Sequence, residues 1–188
     1  MRRSLTMDED YFERRNLRIA CTQRFALEDF PPQASEILPR LYLSDMYSAT
    51  DPLTLKRLGI THVVSVVKDP WYKYPTTIRH LCLPIHDLPS SNIEGYLDSC
   101  VTWIKHALDK EDARVMVHCM WGMSRSASIV IAYVMATRGT SLLRSLSHVR
   151  GKRKVVRPNQ GFLRQLICYE QKLKQRERLE GKFAVLVV

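Results

Sequence analysis

The stretch His118-Cys119-Met120-Trp121-Gly122-Met123-Ser124-Arg125-Ser126 sets a thiol and a guanidinium at the two ends of a short loop. With 5 cysteines and 19 arginines in 188 positions, about half a match to the Cys-to-Arg spacing alone is expected by chance. Requiring His in front, Gly at the third position between them and Ser behind lowers that to on the order of one in ten thousand. The full pattern therefore carries chemical information. A loop leading from the end of a buried strand into a helix start presents successive backbone N–H groups, and this nest adds to the positive potential of the helix terminus. The backbone of Met120, Trp121, Gly122, Met123 and Ser124 would hold an anion, with Gly122 allowing the tight turn. Arg125 would fork two phosphate oxygens with its planar guanidinium.

The same field favours Cys119 as a thiolate, and a thiolate centred in a phosphate cradle is a nucleophile for phosphorus. Ser126 is placed to donate a hydrogen bond to that sulfur when it leaves again, and His118 to hold the loop and the Cys119 backbone. Reading Cys119 as an ordinary buried core thiol leaves the Gly, Arg and Ser spacing unexplained. Attack on phosphorus expels an alkoxide or phenolate, so a carboxylic acid should protonate it, and the carboxylate should later activate water. Asp45, Asp69, Asp87 and Asp98 are the upstream candidates. Asp87 is selected because it lies just past an expected strand end, where parallel-sheet enzymes place chemistry.

The elements that must position these residues follow from hydrophobic period and punctuation. Strands are expected at Ile37 to Leu43, Thr61 to Val67, Ile78 to Pro84 and Ala113 to His118. Helices are expected at Pro52 to Leu58, after a capping box at Ser91 to Glu94, from Ser124 to Gly139, at Ser141 to Arg150 and at Asn159 to Arg178. The helix after Ser91 carries apolar residues at 93, 96, 97, 100, 101, 104 and 108, one face directed at a sheet. Alternating strands and helices give an α/β fold, a mainly parallel sheet with helices on both faces. Trp71, Tyr72 and Tyr74 form an aromatic loop that either borders the pocket or packs as ordinary loop.

Composition sets the outer limits. The chain has 29 Lys+Arg, 19 Asp+Glu, a net charge of +10 and 45% hydrophobic residues. That is an ordinary basic domain, not a disordered, collagenous or disulfide-rich chain. The longest nearly apolar run, Ala127 to Ala136, falls short of a membrane span. The N-terminus lacks a secretory pattern, and Arg2 excludes myristoylation. Cys21, Cys82, Cys100, Cys119 and Cys168 form no CxxC pair, so an intracellular, reducing compartment is expected. Cys82 and Cys100 are read as inert core thiols in preference to redox partners of Cys119.

From about Ser35 to Leu173 the chain resembles the catalytic domain of a small, atypical dual-specificity protein phosphatase of the cysteine-dependent tyrosine phosphatase superfamily. Besides the signature loop, the resemblance rests on Leu41-Tyr42-Leu43-Ser44, Gly59-Ile60-Thr61-His62-Val63-Val64, the Asp87 loop leading to Ile93, and Arg157-Pro158-Asn159-Gln160-Gly161-Phe162 through Gln165-Leu166. It implies a flattened αβα sandwich and a two-step hydrolysis needing no metal or cofactor. The implied substrates are phosphotyrosine and phosphoserine or phosphothreonine. Carried over, Cys119 is the nucleophile, Arg125 the phosphate clamp, Asp87 the general acid and Ser126 the leaving-group helper, with Asn159 supporting the loop. The implied organisation is an N-terminal extension over 1–33, a catalytic domain over 34–178 and a tail over 179–188. Trp121 departs from the small residue common at that position, which leaves the rim of the pocket open to a different shape.

Phosphorylated proteins are the expected partners, in cytoplasm and/or nucleus, with no membrane and with nucleic acid disfavoured. Two segments, Arg2 to Met7 and Arg14 to Ile19, have the form of kinase-docking peptides. From Ser141 onward 12 Lys+Arg face 3 Asp+Glu, a charge that attracts acidic partners. Lys152-Arg153-Lys154 reads as a solvated loop beside the site in preference to a nuclear signal. Phe183 to Val188 is expected to pack on the domain or extend a sheet edge. An RNA 5′-end or phosphoinositide phosphatase and a weakly catalytic phosphoprotein-binding module are the rival readings. The absence of lysine at Met120, Trp121 and Met123 counts against the first.

Overall fold

The computed structural model describes residues 33–70 and 72–186, with side chains as far as Leu179. Strands β1 (Ala34–Leu38), β2 (Leu41–Ser44), β3 (His62–Val66), β4 (Arg79–Leu83) and β5 (Val115–His118) form one sheet in the order β1-β2-β5-β3-β4. β2, β5, β3 and β4 are parallel, and β1 pairs antiparallel at the edge.

Successive side chains of a strand point to opposite faces, and the core divides accordingly. Leu41, Leu43, Val64, Val66, Val115 and Val117 pack under α3 (Glu94–Leu108), α4 (Arg125–Arg138), α5 (Leu142–Lys152) and α6 (Gln160–Leu186). Tyr42, Val63 and Met116 face the other way, onto Ala49 of α1 (Met46–Thr50) and Leu55 of α2 (Pro52–Arg57). The result is a sheet between two helical layers. β3 and β5 are buried at every position, as suits their largely apolar runs, with His62, Ser65 and His118 the polar exceptions. α4 is buried from Ser126 to Met135, a central helix apolar around its circumference.

Four sequence expectations need correction. The strand placed at Ile37 to Leu43 is two strands that reverse at Arg40, whose φ is +67°. A left-handed non-glycine residue costs roughly 1–2 kcal/mol. Here the guanidinium offsets it, donating to the carbonyls of Leu108 (3.0 Å), Lys110 (2.6 Å), Glu111 (3.1 Å) and Ala113 (3.3 Å). Second, the single turn α1 lies outside the expected helices, although Asp45 caps it by accepting from Ser48 N at 2.8 Å. Third, the Ser91 capping box does not form. Gln165 Oε1, from α6, accepts from Ile93 N (2.8 Å) and Glu94 N (2.9 Å) instead. Fourth, the last helix runs to Leu186, so 183–186 continue a helix and add no strand. The docking-like segments and Trp71 lie outside the described residues. Among those described, no helix is long and apolar enough to cross a membrane.

Candidate active site

The C-terminal ends of β2, β3, β4 and β5 point to one edge of the sheet, and Cys119 follows β5 there. The loop from Cys119 into α4 is held from outside by its carbonyls. Met120 O accepts from Met46 N (3.1 Å) and Met123 O from Arg157 N (2.7 Å). Trp121 O accepts from Arg153 Nη2 (3.0 Å) and Gly122 O from Arg153 Nε (3.1 Å). In a trans peptide the C=O of one residue and the N–H of the next point in opposite directions. Four consecutive carbonyls tied outward therefore turn the N–H groups of Trp121, Gly122, Met123 and Ser124 inward, into an anion nest. Gly122 permits this at φ +65°, where a Cβ would meet Ser44 O at 2.5 Å.

Cys119 is 1% exposed, and Ser126 Oγ donates to its sulfur at 3.1 Å. Ser124 begins α4 without capping it. Its hydroxyl instead donates to Asp87 Oδ1 (2.7 Å) and accepts from Asn159 N (3.0 Å). Asn159 Nδ2 donates to the same carboxylate oxygen at 2.8 Å. Arg125 lies alongside, its Nε 3.6 Å from Asp87 Oδ2 and its Nη1 donating to Ile85 O at 3.4 Å. Arg125 Nε is buried without a hydrogen-bond acceptor, a donor that a phosphate oxygen would satisfy. The Asp87 loop is pressed against α6 at Gly161, where any Cβ would collide with the carbonyl of Pro89. Thus Cys119, Arg125, Ser126, Asp87, Ser124 and Asn159 form one cluster.

His118 sits beneath the loop. A carbonyl only accepts, so the contact of Nδ1 with Cys119 O (3.2 Å) fixes the proton on Nδ1 and makes Nε2 an acceptor. Nε2 meets Ser65 Oγ (2.6 Å) and Tyr74 OH (3.2 Å), and His80 Nε2 meets Ser65 Oγ at 2.8 Å. Burial pulls His118 down to about 4, so the ring is neutral at physiological pH. The ring thus braces the loop, and Tyr74 braces the ring, one of the two roles open to the aromatic loop.

Sequence reasoning weighed Asp45 only as a general acid and missed its pairing with Arg153. Arg153 was expected in a solvated loop, yet it is 7% exposed. Its Nη2 is 3.5 Å from Asp45 Oδ2, and Nη1 donates to Gln33 O at 2.7 Å. The signal available was an acid immediately after Ser44, whose position next to the loop only the sheet order reveals. Trp121 turns its ring to Tyr47, centroids 6.1 Å apart, and is 45% exposed. Asp98 is taken up on the surface by Arg176 at 2.7 Å through both oxygens. Cys82 and Cys100 are free thiols whose pKa burial raises, that of Cys100 to about 12. Among the described residues no three His, Cys, Asp or Glu side chains converge as metal ligands.

The family described as "Dual specificity phosphatase, catalytic domain" matches residues 41–172. Dual specificity protein phosphatase 26 of Bos taurus is 36% identical over 147 residues, covering 76% of this chain and 69% of the relative. Dual specificity protein phosphatase 1 of Arabidopsis thaliana is 36% identical over 133 residues, covering 71% and 67%. The crystal structure of human DUSP28 superposes with a TM-score of 0.73 at 30% identity, over 77% of this chain and 97% of that one. Fold, thiol loop and relatives agree: the chain belongs to the dual-specificity phosphatase family, cysteine-based phosphatases that dephosphorylate phosphoproteins.

Proposed function

We propose that the protein hydrolyses phosphotyrosine and phosphoserine or phosphothreonine in proteins through a phosphocysteine at Cys119. The observation that carries this is the loop itself: four carbonyls tied outward around a buried thiol that accepts from Ser126. The inward N–H groups and Arg125 hold the phosphate, and the Cys119 thiolate attacks phosphorus as the P–O bond to the leaving oxygen breaks. Asp87 gives that oxygen a proton, then takes one from the water that attacks the phosphocysteine. The S–P bond breaks, inorganic phosphate departs, and Ser126 stabilises the returning thiolate. His118 and Asn159 act on the loop and on Asp87 without touching the phosphoryl group.

The turning of Trp121 onto Tyr47 supports turnover over a blocked, binding-only pocket. The pairing of Arg153 with Asp45, Lys172 with Glu94 and Arg176 with Asp98, acids from outside the segment, draws down the C-terminal charge. That weighs against polyanionic RNA or phosphoinositide substrates. A thiolate nucleophile also fits a reducing compartment, cytoplasm or nucleus. The test is hydrolysis of a small aryl phosphate with chelator present, comparing the unmodified chain with Cys119→Ser. Turnover lost in the variant supports the reading, and no turnover by reduced, folded protein overturns it.

A further inference from the structure

Five large apolar side chains stand exposed among the described residues, and three of them, Tyr47 (53%), Leu88 (53%) and Trp121 (45%), border the Cys119 loop. Their arrangement follows from the bonds that hold the loop. Met46 N donates to Met120 O, which fixes α1 and Tyr47 beside the start of the loop. Ser124 Oγ donates to Asp87 Oδ1, which fixes Leu88 beside its end. Tyr47 and Trp121 pair with ring planes tilted by 53° at the start of the loop, one bank of the site, and exposed Leu88, next to Asp87, makes the other.

Exposed apolar side chains gathered in one place mark a contact surface. Here the contact is with substrate, because Cys119 is 1% exposed and a phosphoryl group reaching it must enter from above. Whatever carries that group lies across the rim. We infer that Tyr47, Trp121 and Leu88 select phosphoprotein segments with large apolar side chains next to the phosphorylated residue. The inference rests on the phosphatase reading and names its substrate class. Two half-exposed rings tilted together present an angled apolar surface that suits an aliphatic or aromatic side chain, whereas a nucleobase stacks on an open, flat ring face. Removing apolar area from water at both banks favours such substrates by about tenfold or more over polar-flanked ones.

The experiment uses two phosphotyrosine peptides, one with Leu or Phe on both sides of the phosphorylated residue and one with Ser at both. The readout is the ratio of their kcat/KM values, with the small aryl phosphate measured in parallel. The expected ratio is about 10 or more for the unmodified chain, carried by KM. It should fall towards 1 in Tyr47→Ser and in Leu88→Ser, two surface changes on opposite banks. The ratio of peptide dissociation constants on Cys119→Ser should follow the same order. A ratio near 1 in the unmodified chain, or one unmoved by both substitutions, overturns the inference while aryl phosphate turnover leaves the phosphatase reading standing. Absence of aryl phosphate turnover by the reduced, folded, unmodified chain overturns that reading, and the dissociation constants then decide the rim separately. A 5′-phosphorylated oligonucleotide bound more tightly than either peptide, in a manner dependent on Tyr47, also overturns it.

Discussion

Arg153 and Asp45 meet 3.5 Å apart in the interior, with 6% and 5% of their side chains exposed. The pair joins the segment before α6 to the end of β2, and Arg153 gives three further donors to Trp121 O, Gly122 O and Gln33 O. A buried pair broken on one side leaves an uncompensated charge. Arg153→Ala should therefore lower unfolding free energy by about 3–5 kcal/mol. Arg153→Lys should recover little, since an ammonium cannot fork to two carbonyls while facing a carboxylate. Urea titrations of both variants check this; an Arg153→Ala midpoint matching the unmodified chain would remove the strut.

Asp87→Asn keeps an acceptor for Ser124 and Asn159 but cannot give up a proton. Turnover should fall by about 10²-fold or more for alkyl phosphates and far less for aryl phosphates with good leaving groups. Steady-state kinetics across a leaving-group series decides the matter. Equal losses throughout would take Asp87 out of the acid role.

Acid stability should report His118. Burial sets its folded pKa at about 4, against the ordinary 6.5. Between those values the unfolded chain binds a proton that the folded chain refuses. Its contribution, on the order of 3 kcal/mol, is thus fully present above pH ~6.5, declines through the window and is gone by pH ~4. His62 and His80 are lowered by burial too and add to the slope. In urea midpoints at pH 7, 5.5 and 4.5, His118→Gln should decline less steeply than the unmodified chain; parallel slopes would assign the acid sensitivity elsewhere.

Two glycine substitutions should separate the loop from the acid. Gly122→Ala meets Ser44 O at 2.5 Å at φ +65°, and should cost about 1–3 kcal/mol and most of the activity on every substrate. Gly161→Ala drives a methyl against Pro89 and displaces the Asp87 loop while leaving the Cys119 loop in place. Its kinetic defect should be largest for poor leaving groups, as in Asp87→Asn. A uniform defect across leaving groups would mean that Gly161 matters only to folding.

What the sequence disclosed depended on the range of the causes. β3, β5, α3 and α4 were legible because a local apolar pattern largely decides them. Cys119, Arg125 and Ser126 were legible because one loop carries all three, and Asp87 because strand ends are special places in parallel sheets. Features set by distant partners were hidden. Arg40 reverses the chain without glycine because carbonyls near residue 110 bind its side chain. α3 begins where Gln165 reaches it from 72 positions away. Arg153, between two lysines, is buried because Asp45 and two loop carbonyls wait for it.

The sheet order has a consequence for how the protein comes into being. β2 pairs with β5, Leu41 lying beside Val115, and only afterwards in the chain come Arg153, Asn159 and Gly161. Long loops must close before such pairings contribute. During synthesis, the thiol leaves the ribosome before the parts that shape its cradle. A nascent chain ending near residue 150 would carry Cys119, Arg125 and Asp87 with Met46 and His118 already in hand, but without Arg153, Arg157 and Asn159, which hold three of the four loop carbonyls and the Asp87 carboxylate.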